Sequence, residues 1–254
     1  MKRKIGLLFL LIGISLSCYS QIELGVRLGA NASRSVFDDN VYKKFNDSKY
    51  KIGYQAGIVA VFENNKKDKY ALLTELYYSK IGRKVSSSGN EFTANTASYN
   101  YLHMPIMFRM RFKTNYFDWY MSVGPQISYW LGGKGVYEVF DPNYQLITSY
   151  DYVINFDEPI DDFGYMNMLD EYNRWQLGLS VGTGILLELN DADRIALDLR
   201  YYFGHTYLGE KEGGYIPNSG LDDNFESTNQ SLELSVMYTF DIYQKARYVK
   251  NKYK

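Results

Sequence analysis

The chain is poor in the residues that most often build reactive centres: in 254 residues it has one cysteine and two histidines. The lone cysteine, Cys18, falls in the first twenty residues, so a chain processed after Ser20 has no disulfide, no thiol nucleophile and no thiolate metal site. Charge of one sign is not in excess either. Lys and Arg number 28 against 29 Asp and Glu, and with a sequence pI of about 6.2 no overall electrostatic bias suggests nucleic acid, whose binding would need a clustered basic surface. Outside the N-terminus no stretch approaches the roughly 18 uninterrupted apolar residues of a membrane-spanning helix. No internal linker rich in Pro, Gly or Ser divides the chain, which argues for one domain. What is abundant is tyrosine, at 26 residues. Its apolar ring and polar tip suit a membrane interface or a half-exposed sheet.

Residues 1–20 have the layout of a secretory signal: Lys2-Arg3-Lys4, an apolar run from Ile5 to Leu16, then small residues before Gln21. Cleavage is expected after Ser20. The rival is lipidation at Cys18, but Ser15-Leu16-Ser17-Cys18 lacks the usual leucine three positions before the cysteine. The expected organisation is a signal peptide over 1–20, a barrel over 21–240 and a basic tail over 241–254. That tail carries Lys245, Arg247, Lys250, Lys252 and Lys254.

Between Tyr99 and Leu131 the pattern is clearest. Leu102, Met104, Ile106, Phe108, Met110 and Phe112 alternate with a set that includes His103, Arg109 and Arg111. After the turn Lys113-Thr114-Asn115-Tyr116, Phe117, Trp119, Met121, Val123, Ile127 and Tyr129 alternate with Asp118, Ser122, Gly124, Gln126 and Ser128. Period two over about ten residues is the length of a tilted strand that crosses a bilayer. The same pattern recurs at Ile22 to Ser33, Ile52 to Phe62, Tyr70 to Gly82, Tyr172 to Leu189, Arg194 to Gly204 and Asn229 to Phe240. Arg83 to Ser98 reads as a polar loop. Within Gly132 to Glu171, Val136 to Phe140 and Gln145 to Phe156 read as a hairpin about Asp141-Pro142-Asn143 that stands above the membrane.

Alternation alone also fits a soluble barrel with apolar residues inward. Three features argue for the reverse. Connections alternate short and long, as in outer-membrane barrels. The polar face is crowded with Gly and with charges of both signs. Aromatics gather near strand ends, at Trp119-Tyr120, Tyr129-Trp130, Tyr172, Trp175 and Tyr238. The expected fold is an all-β, eight-stranded antiparallel up-and-down transmembrane β-barrel, in the outer membrane of a Gram-negative bacterium with both termini periplasmic.

The segments LLTELYYSKIG at 72–82, YLHMPIMFRMRF at 101–112, YMSVGPQISYWL at 120–131, ALDLRYYFG at 196–204 and SLELSVMYTF at 231–240 carry a resemblance. They are similar to the outer-membrane β-barrel domain proteins of Bacteroidetes-type bacteria, known as porin family or PorT-like. The resemblance implies eight strands and a last strand that ends on an aromatic residue. Phe240 matches, and the basic tail beyond it departs from that pattern.

By parity the lumen is expected to hold Glu23, Arg27, Glu75, His103, Arg109, Arg111, Asp118, Glu188, Asp198, Arg200 and Glu233, with Arg111 paired to Asp118 across the hairpin. Eight strands enclose a space that side chains just fill, so an ionic plug is expected ahead of an open pore. His103 faces inward by parity, whereas His205 begins a loop and would face lipid, which argues against a joint catalytic role. Gly178, Gly182 and Gly184 lie on a strand with no helix after them, so they fit close packing better than a phosphate loop. The acids Asp151, Asp157, Glu158, Asp161, Asp162, Asp170 and Glu171, with Asp222, Asp223 and Glu226, match no calcium loop and read as a solvated surface. The functional expectation is a non-enzymatic barrel without cofactors. It contacts outer-membrane lipid, and envelope proteins through external loops or the basic tail. A narrow porin or a lipid-modifying barrel enzyme is the alternative.

Overall fold

The period-two segments become the staves of a closed ring. The computed structural model describes residues 21–63, 69–88, 92–154, 156, 165–166, 172–190, 192–209, 214–216 and 221–242. The signal segment, the basic tail beyond Ile242 and the acids Asp157, Glu158, Asp161, Asp162, Asp170 and Glu171 lie outside these residues. The ring strands are β1 (Gln21–Phe37), β2 (Lys51–Glu63), β3 (Tyr70–Ser88), β4 (Phe92–Lys113), β5 (Asp118–Phe140), β6 (Trp175–Glu188), β7 (Asp193–Gly204) and β8 (Ser227–Asp241). Each pairs antiparallel with its sequence neighbours, and β1 pairs with β8 to close the circuit. This is an eight-stranded up-and-down barrel.

Across paired residues, a path from Lys80 through Tyr54, Ala30, Leu234, Leu199, Thr183, Met121 and Met110 returns to β3 at Tyr70, ten residues from its start. Such a stagger in eight strands goes with a tilt of about 40° and a narrow interior. Polarity is inside-out. On β1, Leu24, Val26 and Leu28 are exposed while Glu23, Arg27 and Asn31 are buried. Around the ring, Ile106, Phe108, Met121, Val181, Leu199 and Val236 continue the outward apolar band.

Several strands outrun their expected limits. Of Arg83 to Ser98, expected as a loop, residues 83–88 and 92–98 form the upper part of the β3–β4 pair, from Arg83↔Ala97 to Ser88↔Phe92. Its polar outer face hid the alternation. β1 continues to Phe37, and the polar segment after it forms a short helix, Asn40–Phe45, and a short strand, Asn46–Lys49, paired with the top of β3. β5 continues to Phe140, and the expected hairpin above the barrel forms by pairing of Leu146–Ile154 with it. Tyr144 at its tip adopts φ 61°, and Asp141 holds the turn by accepting from the backbone N–H of Asn143 and Gln145 at 2.9 and 2.7 Å.

Leu131 is an extra residue. The pairing Tyr101↔Trp130 is followed by Asn100↔Gly132, a bulge at which Gly132 takes φ 142°. Below it the even positions of β5 point inward. Above it Gly133 and Gly135 are buried and Lys134 is exposed. A bulge of this kind re-aims the strand beyond it.

Candidate functional site

The lumen contains two ionic clusters with an apolar collar between them. The more deeply buried cluster is built from alternate positions of β1, β3, β7 and β8. Arg27 contacts Glu75 with one guanidinium nitrogen and Glu233 Oε2 at 2.8 Å with the other. Arg200 meets both oxygens of Glu75, at 2.9 and 3.0 Å, and Asp198 at 3.2 Å. Two arginines therefore converge on one carboxylate. A bidentate guanidinium–carboxylate pair fixes orientation as well as charge. Tyr120 donates its hydroxyl to Asp198 at 2.8 Å, and Tyr77 donates to Glu233 at 3.3 Å while its ring lies 4.6 Å below the Arg27 guanidinium. Arg27, Glu75, Asp198, Arg200 and Glu233 are all buried. At low dielectric such charges persist only when paired and hydrogen-bonded.

The second cluster lies at the end of the short turns. Arg194 reaches Glu23 at 2.8 Å, Glu63 at 3.0 Å and Glu188 at 3.3 Å. Arg111 reaches Glu63 and Asp118, each at 3.6 Å. Between the clusters Val59, Val61, Ala71, Leu73, Met107, Leu186, Ala196 and Met237 form the collar. Arg109 packs there, its guanidinium 4.2 Å above the Tyr120 ring.

Toward the other end the lumen is filled by a column of rings. His103 stacks on Tyr101 at 5.5 Å and 11°, and Tyr101 stacks on Trp130 at 5.9 Å and 11°. Both nitrogens of His103 are engaged, Nε2 with Ser79 Oγ at 3.1 Å and Nδ1 with Ser128 Oγ at 2.7 Å. Tyr101 accepts from Gln176 at 2.7 Å and from Asn229 at 3.1 Å. Above the column sits an apolar cap. There Tyr99, Ile154, Leu208 and Phe225 surround Trp130, and the Arg83 guanidinium lies 5.1 Å from the Phe225 ring. The glycines of β6 make room for inward rings. A Cβ at Gly184 would come within 2.4 Å of the Tyr120 hydroxyl, and one at Gly178 within 2.4 Å of the Tyr202 ring.

Of the residues expected in the lumen, Glu23, Arg27, Glu75, His103, Arg109, Arg111, Asp198, Arg200 and Glu233 are buried there. Asp118 lies at its lower edge. Glu188 is on the rim, its side chain 53% exposed, because β6 ends at that residue. The Arg111–Asp118 contact is diagonal, since Arg111 is directly opposite Tyr120 and Asp118 opposite Lys113. His205 is exposed on the wall, apart from His103. Glu63 and Arg194 were missed because they sit at strand ends next to turns. Parity with Gln55 and with Asp198 points both of them inward.

Comparison by sequence extends this geometry. The family described as outer membrane protein beta-barrel domain matches residues 15–208. The chain belongs to that family. No curated protein matches it by sequence. Among solved structures the barrel domain is similar to the outer membrane protein OprG from Pseudomonas aeruginosa, at 12% identity and a TM-score of 0.47, over 88% of this chain and 97% of that one. It is also similar to Ail, the attachment invasion locus protein of Yersinia pestis, at 13% identity and a TM-score of 0.37, over 86% and 98%. Neisserial surface protein A gives 12%, a TM-score of 0.38, and 85% and 96%.

Proposed function

We propose that this outer-membrane barrel is a non-enzymatic protein with a closed lumen, and that the end with long connections faces outward to contact ligands or envelope proteins. In this reading residues 1–20 are removed on export and both termini are periplasmic. Gln21 and Asp241 belong to the end with the short turns, where Gln21 pairs with Glu63 and Glu23 with Asp241. The family likeness to PorT-like barrels of Bacteroidetes-type bacteria belongs to the same proposal.

The observation that carries it is the filling of the lumen. Paired charges, the apolar collar and the ring column follow one another along the axis, and a hydrated ion would have to break fully buried ion pairs to pass. His103 has both nitrogens engaged inside this packing, on the lumen side of β4, which favours a structural histidine over a lipid-modifying one. Planar-bilayer recording tests the closed lumen: the wild-type protein is expected to give no sustained conductance. A sustained current that changes with Arg200→Ala would overturn the reading in favour of a narrow porin. His103→Ala is expected to leave the lipid profile of expressing cells unchanged, and an altered profile would instead favour the enzyme.

A further inference from the structure

Above the apolar band on one side of the barrel, four lysines share the outer wall. Lys80 and Lys84 flank Gly82 on the outward face of β3. Lys51, the first residue of β2, lays its side chain across Gly82, where an added Cβ would come within 2.9 Å of Lys51 Cδ. Its ammonium donates to the Ala97 carbonyl at 3.0 Å and to Ser98 Oγ at 2.6 Å. Ser98 pairs with Gly82 on one side and with Lys134 on the other. A row therefore runs from Lys51 over Gly82 through Ser98 to Lys134, with Lys80 and Lys84 below and above it.

Lys134 belongs to this row only because of the bulge at Leu131. Without that extra residue the alternation of β5 would turn Lys134 into the lumen. Among the described residues none of the four ammonium groups forms an ion pair, whereas the neighbouring Lys49 is tied to Asp47 at 3.7 Å. The Lys51 ammonium is held below the ordinary lysine range by partial burial and then by the charges of Lys80, Lys134 and Lys84. Like charges gathered on adjacent strands repel one another, and an anion relieves that repulsion.

What lies below the row narrows the anion. Tyr54 is directly opposite Lys80, and Tyr78, whose hydroxyl donates to Asn100 at 2.8 Å, shares its face. Exposed Leu102, Met104 and Ile106 continue downward on β4. Tyrosines at this level mark the interface, and lysine clusters next to it attract anionic head groups. A compact ammonium suits a phosphate oxygen as a point charge.

We propose that Lys51, Lys80, Lys84 and Lys134 form a binding site for the phosphate group of a membrane lipid whose acyl chains lie against the apolar wall below. This rests on the membrane placement of the barrel. The test uses the full chain folded in detergent, its fold checked by a gel shift on boiling. Native mass spectrometry then counts bound phosphatidic acid, phosphatidylcholine and soluble glycerol phosphate. Phosphatidic acid is expected to be retained about tenfold better than phosphatidylcholine, with glycerol phosphate not retained. Combining Lys51→Gln, Lys80→Gln, Lys84→Gln and Lys134→Gln should abolish the preference, and arginine at the same four positions should keep it. Equal uptake of both lipids, or an unchanged preference in the glutamine variant, overturns the site. Retention of glycerol phosphate as strong as that of the lipid replaces the lipid with a soluble phosphate ligand. A chain with no gel shift defeats the membrane-barrel reading itself, whereas a folded barrel without lipid preference defeats only the site.

Discussion

Below Tyr101, β4 turns His103, Arg109 and Arg111 inward and Leu102, Met104, Ile106 and Phe108 outward; above it the same strand turns Tyr99 and Ala97 inward and Ser98 and Thr96 outward. The lower half meets lipid, so apolar side chains gain nothing by hiding from their surroundings and the charges gather in the lumen. The upper half meets water, and there the hydrophobic effect gathers Tyr99, Trp130, Ile154, Leu208 and Phe225 at the centre. One ladder of hydrogen bonds runs through both halves. Its polarity follows the solvent rather than the strand.

The comparison is most sharply broken at Glu75. Glu75→Ala leaves Arg27 and Arg200 buried without their shared carboxylate and should cost the barrel about 3–5 kcal/mol, read from urea unfolding in lipid vesicles. A loss below 1 kcal/mol would mean that the lower lumen does not depend on its ion pairs. Next, Leu199→Arg places a charge on the lipid face of β7 and should cost about 2–4 kcal/mol in the same assay. Stability unchanged by that charge would place water, not lipid, outside the lower half. Trp130→Ala removes the centre of the cap. It should open the extended hairpins to protease while moving barrel unfolding by only about 1 kcal/mol, because the lower ladders remain intact. If barrel and extension lost stability together, the two halves would be one cooperative unit. The smallest effect is expected for Asp141→Ala, which frees two backbone N–H groups at the hairpin tip. Faster hydrogen exchange of the Asn143 and Gln145 amides should report about 1 kcal/mol of local loosening, without a shift in barrel unfolding.

The lower half was legible in the sequence because lipid and lumen impose opposite demands on alternate residues. Arg27, Glu75 and Glu233 announce themselves by parity alone. Their partnerships do not, since they depend on a stagger that only the closed ring defines. Glu63 and Arg194 escaped because each abuts a turn, where a charge reads as solvated. The upper half was less legible for a physical reason. Over 83–88 and 92–98 the outward positions include Lys84, Ser86, Thr96 and Ser98, and the inward ones mix Val85, Ala97 and Asn95, so no apolar stripe signals a strand. At Leu131 a single added residue reverses which positions of β5 face outward, and the row containing Lys134 could not be placed without its register. The Arg111–Asp118 contact was within reach because diagonal neighbours on one hairpin tolerate a register offset of two residues.

The seam between β1 and β8 has a consequence in time. Thr239 donates to Glu23 across it at 3.0 Å, joining positions 216 residues apart in the chain. No earlier contact in synthesis can substitute for this one, since β1 has no second partner until β8 exists. Pairings of such long range are slow to find. The sheet therefore keeps two open edges until its last strand is made, and the first strand waits for the last.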